Sequence, residues 1–122
     1  ETVVTNDVVE LISPTSFKFL GRADNVINTG GVKVHPEVVE EKLSLHINQP
    51  FFIASEKDDA LGERVILIIE SEEYFQLKDF SRAFKSLSIY EKPKHIYSAT
   101  HFLYTETGKI KRAEVLKKLS IN

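Results

Sequence analysis

Gly21-Arg-Ala-Asp-Asn-Val-Ile-Asn-Thr-Gly-Gly-Val-Lys-Val-His-Pro36 is the stretch that decides how this chain is read. Val26-Ile27 and Val32-Lys-Val34 are short β-like runs, and Asn28-Thr-Gly-Gly31 lies between them. A Gly-Gly pair between two such runs signals a tight hairpin. Pro36 then suits the first turn of a helix, whose positive N-terminal end favours Glu37, Glu40 and Glu41. Val39, Leu43 and Ile47 follow at four-residue spacing, with Val38 and Leu45 on neighbouring positions, and make an apolar stripe.

Upstream, Val8-Val-Glu-Leu-Ile12 and Ser16-Phe-Lys-Phe-Leu20 are β-rich, and Ser13-Pro-Thr15 between them supplies turn chemistry, so they read as a hairpin. The opening Glu1-Thr-Val-Val-Thr-Asn-Asp7 reads like the middle of a strand or loop, and the expectation is a piece of a longer protein. Downstream, Phe51-Phe-Ile-Ala54 is a predicted strand, Asp58-Asp-Ala-Leu-Gly62 a loop, and Glu63-Arg-Val-Ile-Leu-Ile-Ile-Glu70 a strand buried on both faces. Leu77, Phe80, Phe84 and Leu87, with Ala83 beside them, predict the clearest amphipathic helix of the chain. Lys94-His-Ile-Tyr97 reads as a strand and Ala113 to Leu119 as a short closing helix. The expected fold class is α+β: a small mixed sheet with about three helices, preceded by a β-hairpin.

The 122 residues suffice for one domain with a real core. An apolar content of 42% and a charged content of 28% are those of a globular protein, and a net charge of −2 provides no strong basic field for nucleic acid or anionic membrane. There is no cysteine, hence no disulfide framework and no thiolate metal site. The longest apolar run, Val65-Ile-Leu-Ile-Ile69, is far too short to span a bilayer. His35, His46, His95 and His101 show no metal-ligand spacing. The expected location is cytoplasmic, with no metal site within these residues, no nucleic-acid partner and no membrane span.

A second stretch carries chemistry. In Thr105-Glu-Thr-Gly-Lys-Ile-Lys-Arg112 a glycine permits a positive-φ turn, and Lys109 follows it directly. A lysine presented from such a turn is a mobile point charge suited to a phosphate or a carboxylate. A hairpin tip carrying a solvated lysine fits the same residues.

Taken together, these stretches resemble the C-terminal subdomain of the acyl-adenylate-forming superfamily. Gly21-Arg22-x-Asp24-x-x-Ile27-x-x-x-Gly31-x-Lys33-x-x-Pro36-x-x-Val39-Glu40 looks like the hinge motif. Leu87-Ser-Ile-Tyr90-Glu-Lys-Pro93 resembles a short family motif, with Ser88 for the usual proline. Thr105-x-x-Gly108-Lys109-Ile110-x-Arg112 looks like the catalytic-lysine motif, and Thr5-Asn6-Asp7 like an upstream Thr-Gly-Asp with Asn6 for glycine. The resemblance implies that residues 1–23 are the tail of a large N-terminal adenylation domain and that residues 24–122 form a mobile cap. It implies Lys109 as the catalytic cation and Asp7, Arg22 and Lys33 as nucleotide-binding residues. It implies Asp24 as the hinge, and Gly30 and Gly31 as the loop approaching the pantetheine of coenzyme A. Read locally, Arg22 is a surface salt-bridge residue and Asp7 a turn aspartate, Asp24 fits a structural cap or Asx-turn equally well, and Gly30-Gly31 can at the same time be a simple hairpin turn.

The implied reaction is ATP-dependent, with Mg2+ held upstream of this chain, a small carboxylic acid as substrate and coenzyme A as co-substrate. The wording of Asp24–Val34 is most similar to 2-succinylbenzoate–CoA ligases of menaquinone biosynthesis. An adenylation domain that loads a carrier protein is an alternative, although such domains prefer Asn where this chain has Thr107. A non-catalytic small binding module is another, and the intact Arg22, Asp24 and Lys109 weigh against it. The fragment alone is expected to be inactive.

Overall fold

Val65-Ile-Leu-Ile-Ile69 is apolar without a break because both of its faces are covered. In a computed structural model, which describes residues 2–13 and 16–121, it forms the middle of the longest strand. The chain runs β1 (Thr2–Val4), β2 (Asp7–Ser13), β3 (Ser16–Arg22), β4 (Ile27–Thr29), β5 (Val32–Val34), α1 (Pro36–Leu43), β6 (Phe51–Asp58), β7 (Gly62–Glu70), β8 (His95–Ala99) and α2 (Arg112–Lys118). β1, β2 and β3 form one antiparallel sheet; the other five strands form a mixed sheet. β6 pairs antiparallel with β7 from Phe51↔Ile69 to Asp58↔Gly62, while β8 runs parallel to β7 and β4 meets its start at Thr29↔Gly62.

The period-two alternation of β7 divides the core in two. Val65, Leu67 and Ile69 face one cluster with Ile27, Val34, Ile53, Ile96, Val39 and Leu43 of α1, and Ile47 just past that helix. Ile66 and Ile68 face another with Phe52, Ala99, Phe102 and Val115 of α2. The five-stranded sheet is thus sandwiched between α1 and α2, the α+β architecture with a mixed sheet that the sequence predicts.

Three expectations are corrected. The predicted helix across Leu77–Leu87 is two short 3-10 turns, Leu77–Phe80 and Ala83–Ser86, so there are two α-helices among the described residues. Asp79, Phe80, Ser81, Phe84 and Ser86 are weak helix formers, and a three-residue period serves the same contacts. Phe80, Ala83, Phe84 and Leu87 still turn towards the core, and Phe80 lies 5.2 Å from Phe75 and 6.1 Å from Phe84 between ring centroids. Leu45, read beside the α1 stripe, lies past the helix end and is exposed. The strand predicted over Phe51–Ala54 continues to Asp58, because β7 offers partners along its whole length. Of the predicted Ser13-Pro-Thr15 turn, Pro14 and Thr15 lie outside the described residues.

Candidate functional site

The β2–β3 register places Asp7 opposite Arg22, and their side chains form an ion pair of 3.2 Å, both about half exposed. Asp24 lies in the 3-10 turn Ala23–Asn25 that leads from β3 to the mixed sheet. Asn6 donates from Nδ2 to Asp24 Oδ2 at 2.7 Å, and the Ala23 amide donates to the Asn6 carbonyl at 2.8 Å. The predicted Asp7 is thereby brought to the predicted Arg22 and Asp24, which lie at least 15 positions further along the chain. The positive φ in the β1–β2 turn falls on Thr5 (55°), not on Asn6 where the resemblance suggests glycine.

The second face of that turn is occupied by α1. Glu37 Oε2 accepts from the Arg22 amide at 3.0 Å and from Asn25 Nδ2 at 2.9 Å. Gly21 makes room for it: φ is +147°, and a methyl group there would come within 2.8 Å of Glu37 Cδ. Gly30 and Gly31 form the tip between β4 and β5 at φ 59° and 84°, and the Gly30 amide donates to the Leu61 carbonyl at 2.9 Å. Lys33 is exposed on β5, paired with Asn28 across the hairpin.

Lys109 stands on a hairpin of its own. Tyr104 and Ile110 bridge antiparallel, and the Thr105 amide donates to the Lys109 carbonyl at 2.7 Å. The Lys111 amide donates to the Leu103 carbonyl at 2.8 Å, and the Lys109 amide to Thr105 Oγ1 at 3.1 Å. Gly108 supplies the turn at φ 84°. The backbone is thus fixed by local bonds while the Lys109 side chain is exposed. Just behind it, Arg112 ties the hairpin to α1 through a fork on Glu40, with Nη1–Oε2 at 2.6 Å and Nη2–Oε1 at 2.7 Å. Glu40 also accepts from the Ile53 amide at 2.8 Å on the edge of β6, and the guanidinium lies 5.5 Å above the Phe52 ring. Burial alone would lower the Arg112 pKa, but the bonds and charge of Glu40 outweigh it and hold it above its ordinary value.

A groove of about 330 Å³ runs between the turn at Asp24–Asn25, the β6 residues Phe52–Ser55 and the first turns of α2. Lys109, Lys33 and Gly30–Gly31 do not line it. Among the described residues, no hydrogen bond or ion pair joins Lys109 to Asp7, Arg22, Asp24 or Lys33, and no group of three His, Asp or Glu side chains is arranged to hold a metal. Sequence reasoning missed the structural work of Glu37 and Glu40, taking both as favourable charges at a helix start. Their i,i+3 spacing put them on one helical face, but nothing local named Arg22, Asn25 or Arg112 as partners.

No protein-family model matches the chain. A crystal structure from Dyadobacter fermentans, described as an acyl-CoA synthetase (AMP-forming)/AMP-acid ligase II-like protein, is 39% identical with a TM-score of 0.72 and is matched over 98% of this chain and 36% of that one. A 3,4-dihydroxybenzoate–[aryl-carrier protein] ligase of Bacillus anthracis is 33% identical over 102 residues, which is 82% of this chain and 24% of that protein. A 2,3-dihydroxybenzoate-AMP ligase of Bacillus subtilis is 31% identical over 121 residues, 95% of this chain and 22% of that protein. The chain spans about a fifth to a quarter of the length of these curated relatives.

Proposed function

From the premise that the chain belongs to the acyl-adenylate-forming superfamily, we propose that it is the cap of an AMP-forming acid–thiol ligase. Residues 1–23 would be the tail of the large adenylation domain and residues 24–122 the cap, hinged at Asp24. The exposed side chains of Val3, Leu11, Ile12 and Phe19 on the β1–β3 sheet support this division, because they offer an apolar surface to a further domain.

In the first half-reaction a carboxylate oxygen attacks the α-phosphorus of ATP and pyrophosphate leaves. Two anions must meet. At about 4 Å and an effective dielectric near 20, each pair of unit charges costs roughly 4 kcal/mol. Lys109 would stand between them and offset much of that repulsion in the transition state. Asp7 would accept from both ribose hydroxyls, and Arg22, already oriented by Asp7, would turn its remaining donors to the ribose or phosphate. Lys33 is the second cation assigned to the nucleotide. In the second half-reaction the sulfur of coenzyme A attacks the acyl carbon, the bond to the phosphate oxygen breaks, and AMP leaves. Gly30 and Gly31 would let the backbone pass close to the pantetheine arm. Among the described residues no carboxylates cluster to hold Mg2+; its ligands would lie in the adenylation domain.

The observation that carries the proposal is Lys109 itself: exposed, on a backbone locked by four hydrogen bonds around residues 103–111, and followed at once by an anchored Arg112. The acid is assigned as 2-succinylbenzoate, on the wording of Asp24–Val34. A carrier-protein thiol in place of coenzyme A is the second reading, favoured by the aryl-carrier ligase among the relatives. In the full-length parent, Lys109→Ala is expected to cut adenylate formation by at least about a hundredfold while sparing thioester formation from preformed acyl-adenylate. Equal loss in both half-reactions would overturn the role of Lys109. ATP–pyrophosphate exchange across a panel of acids, followed by thiol transfer to coenzyme A or a carrier protein, decides substrate and acceptor.

A further inference from the structure

The β1–β3 sheet and the five-stranded body are joined in sequence by the short turn Ala23–Asn25, and that turn is gripped from both sides. From the sheet side, Asn6 holds Asp24 and its carbonyl accepts from Ala23. From the body side, Glu37 holds the Arg22 amide and the Asn25 side chain, two residues before and one after Asp24.

We propose that Glu37 is a brace that holds the β1–β3 sheet and the body at the angle of this structure, one of the positions that a hinge at Asp24 would allow. It thereby positions Lys109 relative to whatever surface β1–β3 packs upon. The proposal deepens the hinge reading above and rests on it for its catalytic consequence. Three features point to a brace rather than an incidental contact. A glutamate in the first turn of a helix is free to swing into water, yet Glu37 Oε1 is buried with no hydrogen-bond partner among the described residues. A buried, half-satisfied carboxylate is unfavourable unless its other contacts require that place. Gly21 keeps that place open with a backbone that only glycine adopts readily and a Cβ position that the carboxylate fills. The helix carrying Glu37 is itself anchored on the body, with Val39 and Leu43 wholly buried and Glu40 forked to Arg112. A well-anchored helix therefore reaches out and holds the residue before the turn and the last residue within it.

The chain contains no cysteine, so labels introduced by Lys18→Cys on β3 and Lys117→Cys on α2 report the sheet-to-body distance by pulsed electron paramagnetic resonance. The parent chain is expected to show one narrow distribution. Glu37→Ala is expected to make it roughly twice as wide. The same variant should speed hydrogen exchange at the Arg22 amide on the order of tenfold, with the amides of Ile66–Ile68 unchanged. Glu37→Gln keeps a carbonyl oxygen able to accept both bonds and is expected to retain the narrow distribution. Asn25→Ala removes one donor only, is expected to give intermediate width, and decides the matter if Glu37→Ala does not fold. Parent-like distributions in Glu37→Ala and Asn25→Ala, or a Gln variant as broad as the Ala variant, would overturn the brace. None of these readouts uses nucleotide. A failure of Lys109→Ala to affect adenylation would therefore defeat the functional reading alone, and unchanged distances would defeat the brace alone.

Discussion

Two parallel N–H···O bonds, 2.6 and 2.7 Å, hold Arg112 against Glu40, and the same carboxylate covers the Ile53 amide. Only the planar fork of a guanidinium spans both carboxylate oxygens. Arg112→Ala is expected to lower the free energy of unfolding by about 2–4 kcal/mol, because Glu40 would stay largely enclosed without its counter-charge. Arg112→Lys should recover less than about half of that. Lys109→Ala, three residues earlier but exposed, should change stability by less than about 0.5 kcal/mol. Urea unfolding of the three variants checks this; equal losses in the two alanine variants would refute the anchoring role of Arg112. Lys109 was readable from Gly108-Lys109 because a turn is a local event. The partnership of Arg112 with Glu40 was not, since 72 positions separate them and no periodicity joins them.

At the scale of elements, α1 is the piece to which others are tied. Its last turn carries Lys42, which donates to Glu91 at 3.0 and 3.2 Å and so fastens the Ser88–Pro93 segment. Burial alone pushes the Glu91 carboxyl up, but the Ser88 amide and the Lys42 ammonium outweigh it and hold it below the usual carboxylate range. A depressed folded value means that the unfolded chain binds the proton more readily. The contribution is therefore fully present above the unfolded carboxylate range and is lost as pH falls through the folded value. Glu91→Gln is expected to cost about 0.5–1 kcal/mol at pH 7, allowing for solvent screening of the half-exposed Lys42. The difference from the parent should shrink towards zero in acid. Denaturant midpoints from pH 7 down to pH 3 test it, and a pH-independent difference would contradict the assignment. The adjacent segment Leu77–Leu87 shows where element type escapes sequence patterning. The intervals of three, four and three between its apolar residues suit an α-helix, and they suit two 3-10 turns joined by a four-residue step equally well.

At the scale of the whole molecule, the candidate residues divide into three places, with Gly30, Gly31 and Lys33 on the β4–β5 hairpin. Asp7, Arg22 and Asp24 gather at the turn, and Lys109 stands on a separate hairpin. A nucleotide gripped by both would need a further surface between them. The 122 residues alone are accordingly expected to give background ATP–pyrophosphate exchange, measured with radiolabelled pyrophosphate and saturating acid. Exchange clearly above background from the isolated chain would defeat the two-domain assignment.

The order of elements, the buried central strand, the two glycine turns and the presentation of Lys109 were determined by the sequence itself, because each depends on residues near one another along the chain. Tertiary structure alone decided the choice of 3-10 turns over a helix, the two carboxylates of α1 as grips on Arg22, Asn25 and Arg112, and the pairing of Asp7 with Arg22 across a bulged register. The physical reason is one of range. Backbone sterics and hydrophobic periodicity act over a few residues. A hydrogen bond between distant polar groups exists only after packing has brought both partners out of water and within about 3 Å.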